Sequence, residues 1–493
     1  MQAFNSRPWL VVALEITLFV GTFLFLPCAL YHSLDYISFK RYGQGTEGIV
    51  LASAMRVPSL SRIYQDPQEY PYFISIYGPV YYFLFGYLIK LLGPSLTWGR
   101  LLSFMATSGT ITILYKMVKI EPGQGLARYL LIPVFAALPE IAIWATSARV
   151  DMVGVFLGFL GLYLIRGQKN HLFIFWPALY FLGAIFTKPN MISAPLAAIV
   201  WLYGKGERKR AFILATLLLL GGTIFFGGLN WFSHGGFWKN IFLTHNDRWY
   251  WELELNRLIF FFALHAVFLW LALLQVKREF QARQLDLMTY YFLVSSFNLL
   301  LLGKVGSDIN YHIEPALALV PLAVWGFSRV RENTQSFYKL LGMAWAVCYL
   351  VIMLSFCSAY YLKPTRRVPS NFPFTNKTGY YLAEDPSWLV LNELPVLFSD
   401  TYSLASSYSN IYWDLNPLLD DVKNRRIDGV LMSFDPTDTE PLKNKPWLRG
   451  HWPDIFVKEL LQYYEKSPDA RWKKIGIVCY LPKEDLTSSN LEY

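Results

Sequence analysis

The sequence predicts an α-helical, polytopic membrane protein of about eleven transmembrane helices, followed by a small α/β domain. Three observations predict it. Of 493 residues, 54% are hydrophobic and only 16% are charged, against roughly 25% charged in soluble domains. The apolar residues fall in blocks of about 15 to 22 separated by short basic loops, as in successive membrane-crossing helices. Beyond Leu362 these blocks stop, and Pro, Asp, Ser and Asn rise. The net charge of +9 lies mostly in loops between blocks. There it sets orientation and is no footprint of nucleic-acid binding.

The blocks are 9–31, 98–118, 128–147, 151–166, 171–187, 190–203, 211–231, 257–276, 285–303, 312–327 and 338–359. The first resembles a signal peptide, but it is long enough to span and has no clear small-residue cleavage site, so it reads as a retained helix. A further apolar run, "YGPVYYFLFGYLIKLLG" (77–93), is placed by parity. If it lies along the surface, the basic loops all fall on the N-terminal side: Lys116/Lys119/Arg128, Arg166/Lys169, 205–210, Lys277/Arg278/Arg283 and Arg329/Arg331. That satisfies the positive-inside rule. The run is then an interfacial helix in a long first outer loop, 32–97. The N-terminus is expected inside and the C-terminus outside.

Two domains follow, 1–362 in the membrane and 363–493 outside it. In the second, "PVLFS" (395–399), "DGVLMSF" (428–434) and "KIGIVCYL" (474–481) read as strands, and "WPDIFVKELLQYYEK" (452–466) as a helix. Cys28, Cys348 and Cys357 fall in apolar blocks and Cys479 stands alone, so no disulfide framework or zinc pattern is visible. Nor is there a Gly-rich phosphate loop or an internal repeat.

The inner loops carry almost only basic and small residues, so chemistry belongs on the outer face. Arg100, Arg149, Lys188, Arg248 and Lys304 sit at outer ends of spans. A cation near hydrocarbon costs about 2.5–3.5 kcal/mol unless paired or hydrated. Several around one cavity suggest a bound anion, although snorkelling to lipid phosphate accounts for any single one equally well.

The stretch "GQGTEGIVLASA" (43–54) places Glu47 among glycines and small apolar residues. Thr46 caps a short helix predicted from 47 to about 57, where a first-turn acid suits the helix dipole. The same acid, stripped of solvent, is a candidate general base, with Asp35 second. In "SARVD", Arg149 and Asp151 are two apart and do not share a helix face. They pair only through a turn, either as a simple loop ion pair or as an acid that orients the cation. Asp308, Asn310, Tyr311, His312 and Glu314 in "GSDINYHIEP" suit sugar or acceptor hydroxyls, then simple solvation, and least a metal. Their spacing matches no standard zinc pattern. His245 and Asp247, beside Trp249 and Trp251, suit sugar binding or interfacial anchoring equally.

In order and spacing, "TEGIVLASAMRV", "RIYQDPQEYPYFISIYGPVYYFL", "GPSLTWGRLLSF", "SARVDMVGVFLGFLGLYLI", "FTKPN" and "GSDINYHIEPALAL" resemble the GT-C superfamily of membrane glycosyltransferases. The similarity is to the protein-mannosyltransferase and aminoarabinose-transferase-like group, and it spans most of residues 1–330. Many relatives carry an Asp-Glu pair in the first loop; here Thr46 precedes Glu47, and Gln44 holds a position that is often acidic. A divalent metal therefore has weak support, and no cofactor is expected with certainty.

The resemblance implies transfer of a sugar from a polyprenyl-phosphate carrier to an acceptor hydroxyl at the outer face of a bacterial plasma membrane. It implies inversion, Glu47 as general base, Asp151 as an orienting acid, and Arg149, Lys188, Lys304 and Arg100 on the donor phosphate. Asp308, Asn310, Tyr311, His312, Glu314, His245 and Asp247 would meet sugar or acceptor. The sugar is not identified, and the acceptor is a glycan, a glycolipid or a protein. A flippase or transporter of a lipid-linked sugar would use the same cations. Transporters, however, place polar sites at mid-membrane and carry internal repeats, and the sequence has neither.

Overall fold

The computed structural model describes residues 27, 29–38, 45–118, 131–136, 138–167, 171–244, 249–304, 306–332, 372–374, 376, 378–408, 414–438 and 452–484. Most of the expected span 9–31, and all of 338–359, lie outside the described residues. The chain forms two compact units. One comprises residues 1–39, 100–224 and 248–365, the other 40–99, 225–247 and 366–493.

The regular structure of the first unit is helical. Asp151–Gly167 packs on Phe175–Ile185, and Ser193–Gly204 on Leu287–Ser295. Ala266–Gln281 lies against Ile313–Glu332. In that last pair a Cβ on Gly326 would stand 2.0 Å from the Leu271 carbonyl oxygen, so glycine sets how close the two backbones come.

Several expected spans are broken. Block 128–147 is two short helices, Leu131–Ala136 and Pro139–Trp144. Pro139 disfavours the helical region for the residue before it, and Leu138 is extended (φ −66°, ψ 126°). Block 257–276 is Trp251–Leu264 and Ala266–Gln281, bent by 71° at His265. Block 285–303 ends in a 3-10 turn, Ser296–Leu301.

Among the described residues, Arg208–Phe232 is the one helix long and apolar enough to cross a bilayer unaided, and the bent pair passes together. Phe212, Leu219 and Ile224 on it are each more than 70% exposed. Such an outward apolar face suits lipid. Where the sequence marks a juxtamembrane run, the helix Pro79–Leu92 forms, with Pro in its first turn.

The second unit carries a four-stranded sheet of β1 (Tyr381–Ala383), β2 (Gly429–Met432), β3 (Tyr464–Lys466) and β4 (Val478–Pro482), in the order β1-β2-β4-β3. β1 and β2 are parallel; the other pairs are antiparallel. Helices Asn416–Lys423 and Asp454–Tyr463 pack through Leu418, Val422, Phe456 and Leu460. The same core takes in Tyr72 and Ile74 of the first loop. "PVLFS" forms no strand. Pro395 removes a ladder donor, and Ser399 Oγ instead accepts from the Ile74 N–H (2.7 Å) and donates to the Ile74 carbonyl (2.8 Å). Asn240 ties the 225–247 segment to the first loop: its Oδ1 accepts from Ser75 N–H (2.7 Å), and its Nδ2 donates to the Gln65 carbonyl (2.8 Å).

Candidate functional site

In the first unit, residues far apart in sequence converge on Asp151. This residue opens the Asp151–Gly167 helix, where a carboxylate favours the exposed N–H groups. Its side chain is fully buried. Lys188, just past the Phe175–Ile185 helix, places Nζ 2.7 Å from Asp151 Oδ1, and Arg149 Nε lies 3.4 Å from Oδ2. The turn foreseen for "SARVD" exists: Arg149 N–H bonds to the Ser147 carbonyl at 2.7 Å, and Ser103 Oγ donates to the Arg149 carbonyl at 3.1 Å. Asn310 Nδ2 donates to Asp151 Oδ1 at 2.9 Å, and Lys188 Nζ lies 4.9 Å above the Tyr311 ring. One buried carboxylate thus fixes two cations, a combination stable only when charges are paired and hydrogen-bonded.

The "DxNxHxE" set divides. Asp308 is exposed and caps the Ile309–His312 turn through the Ile309 N–H. Asn310 joins Asp151, and Tyr311 lies beneath the Lys188 ammonium. Glu314 accepts from Tyr291 OH (2.9 Å) and Asn298 Nδ2 (2.7 Å). His312 faces elsewhere: its Nδ1 lies 3.4 Å from Glu140 Oε1, and His265 Nε2 lies 3.6 Å from the same oxygen. All three of these groups are fully buried. Sequence reasoning passed over Glu140 and His265. The available signal was an acid inside an apolar block, which is costly without partners.

Arg100 is buried, donates Nη1 to the Tyr36 carbonyl (3.1 Å) and lies over the Tyr36 ring. Lys304 is half-buried and pairs through its backbone with Trp249. His245 and Asp247 lie outside the described residues.

In the second unit, Glu47 is fully buried in the first turn of the Gly45–Met55 helix. This helix packs on Ser387–Val390. A Cβ on Gly48 would stand 1.9 Å from Asp385 Oδ1, so the glycine admits a second buried carboxylate beside that turn. Among the described residues no group of three or more His, Cys, Asp or Glu is arranged to hold a metal ion.

No protein-family model and no curated protein matches the chain. Solved structures do. ArnT from Cupriavidus metallidurans in the apo state is 15% identical with a TM-score of 0.57, over 85% of this chain and 94% of that one. The same protein bound to undecaprenyl phosphate gives 13% identity and a TM-score of 0.58, over 98% and 99%. An Archaeoglobus fulgidus oligosaccharyltransferase reaches a TM-score of only 0.48, with 11% identity, over 94% and 74%. The likeness to ArnT covers nearly all of both chains and shows a shared fold. The GT-C resemblance read from the sequence stands at that level.

Proposed function

We propose that the chain is an integral-membrane glycosyltransferase that moves a sugar from a polyprenyl-phosphate carrier to an acceptor hydroxyl at the outer face of a bacterial plasma membrane. The observation that carries the reading is the Arg149–Asp151–Lys188 cluster within a fold shared with a protein that binds undecaprenyl phosphate. Carbon–oxygen cleavage leaves a polyprenyl phosphate whose growing negative charge needs cations already in place. Asp151 and Asn310 hold Lys188 and Arg149 ready for it, and Tyr311 flanks the Lys188 ammonium. Glu47 is the general base that takes the acceptor proton as its oxygen attacks the anomeric carbon. A single displacement on a fixed face inverts that carbon.

The test uses purified protein in nanodiscs with a labelled polyprenyl-phosphate sugar. Acceptor-dependent release of polyprenyl phosphate is the expected result. No release with glycan, glycolipid or protein acceptors would end the transferase reading. Glu47→Gln should lose about 10²–10⁴-fold in turnover while donor binding persists. Full turnover in that variant removes Glu47 from the mechanism.

A further inference from the structure

The Glu140–His265–His312 cluster takes no part in the proposed chemistry, yet it puts three ionisable side chains in the interior of the first unit. Phe260 and Phe261 flank His312, and Phe261 and Phe268 flank His265. The three groups come from three element junctions. Glu140 is in the first turn of Pro139–Trp144, His265 is the residue at the 71° bend, and His312 ends the Ile309–His312 turn.

The geometry counts the protons. His265 Nδ1 lies 2.9 Å from the Phe261 carbonyl. A carbonyl only accepts, so Nδ1 carries hydrogen. In a neutral ring the Nε2 lone pair would then face Glu140 Oε1 at 3.6 Å, a repulsive contact in a dry interior. One proton relieves it, either on Nε2 or on the carboxyl. His312 needs none, since its neutral Nδ1–H tautomer can face the same oxygen.

Other described charged groups on the packed elements face elsewhere. Glu314 turns to Tyr291 and Asn298, and Arg257 to the Leu302 carbonyl and Ser307. Glu254 meets Gly303 N–H, Glu279 meets Thr289, and Lys277 and Arg278 are exposed.

We propose that Glu140, His265 and His312 form a buried proton-binding site whose occupancy holds the Ile309–His312 turn, and with it Asn310 and Tyr311, against Asp151 and Lys188. One face of this four-residue turn meets the proton site through His312, and the other meets the cation cluster through Asn310 and Tyr311. Loss of the proton sets the His265 Nε2 lone pair against a buried carboxylate whose remaining donor is His312 Nδ1–H; Glu140 relieves the repulsion by moving off His265, and the His312 turn shifts with it. The second half of the proposal, control of phosphate binding, rests on the proposed function.

Nitrogen NMR of the ¹⁵N-histidine-labelled full chain in nanodiscs, with His265 assigned by its loss in His265→Asn, tests the site. At pH 7 a doubly protonated His265 ring, or a protonated Glu140 seen by infrared difference against Glu140→Gln, is expected. A singly protonated ring beside an ionised carboxylate overturns the site. Binding of undecaprenyl phosphate is then followed between about pH 6 and 9. Relative to Glu140→Gln, which shares the ligand's own ionisation, the wild type should lose about five- to a hundredfold in affinity as pH rises. Parallel profiles overturn the coupling. No binding at any pH overturns the proposed function and the coupling together, and the NMR result still decides the proton site.

Discussion

Lys188 and Asp151 answer to opposite demands, stability and charge at the ligand, and the two can be separated. Lys188→Met leaves a buried carboxylate short of its nearest cation and should cost about 3–5 kcal/mol. Asp151→Leu strands Lys188 in the same way. The double variant replaces the Lys188 pair by apolar neighbours but still takes the carboxylate from Arg149 and Asn310, so it should recover only part of that loss. Turnover should stay abolished in all three. Thermal unfolding in detergent and the release assay together check this; a double variant that is both stable and active reduces the pair to scaffolding. Asp435 gives a second residue-scale prediction. Burial pushes its carboxyl up, but hydrogen bonds from Lys466, Thr437 and Tyr480 outweigh that and hold it well below its ordinary 3.8. Its contribution is present above that value and is lost as pH falls below it. Acid unfolding of Asp435→Asn, followed by near-ultraviolet circular dichroism, should show a shallower loss than the wild type in that window.

At the scale of elements, the approach of Ala266–Gln281 to Ile313–Glu332 depends on one missing side chain. Gly326→Leu drives atoms into the Leu271 carbonyl and should cost about 1–3 kcal/mol or more. A lowered unfolding midpoint checks it, and an unchanged midpoint means the helices slide apart freely. Elements of this kind were legible from the sequence because helices announce themselves by apolar length, and the blocks at 98–118, 151–166 and 211–231 became Leu96–Met117, Asp151–Gly167 and Arg208–Phe232. Their interruptions were harder to read. A proline such as Pro139 signals a break, but His265 at the 71° bend carries no breaker signal of its own. "PVLFS" has strand composition, yet it spends its hydrogen bonds through Ser399. β1 escaped notice because three buried residues, Tyr381–Ala383, make too short a run to stand out. In the candidate site, Arg149 and Asp151 were legible as neighbours. Their meeting with Lys188 and Asn310, 37 and 159 positions from Asp151, leaves no mark on local periodicity. Nor does the meeting of Glu140 with His265.

Across the whole molecule, the sequence suggests a boundary near 362, but the packing of the second unit runs across it. Tyr72 and Ile74 contribute to the same core as Leu382, Val430, Trp452 and Phe456, and Tyr70 OH donates to Asp421. The Gly45–Met55 helix that carries Glu47 leans on Ser387–Val390, with Asp385 packed over Gly48. The first loop is thus one part of a folded unit that also takes in residues 225–247 and, more than 300 residues later in the chain, 366–493. Burial of large aromatic and aliphatic side chains is worth about 1.5–3 kcal/mol each, so a loop deprived of that partner loses what orders it. A chain ending at residue 365 should therefore be cleaved by protease between residues 64 and 77, where the full chain resists, and Glu47 should lose its fixed setting and the variant its turnover. Supplying residues 366–493 as a separate chain should restore both. If the truncated chain resists protease as well as the full one, the first loop orders itself, and the shared core is a contact rather than a requirement.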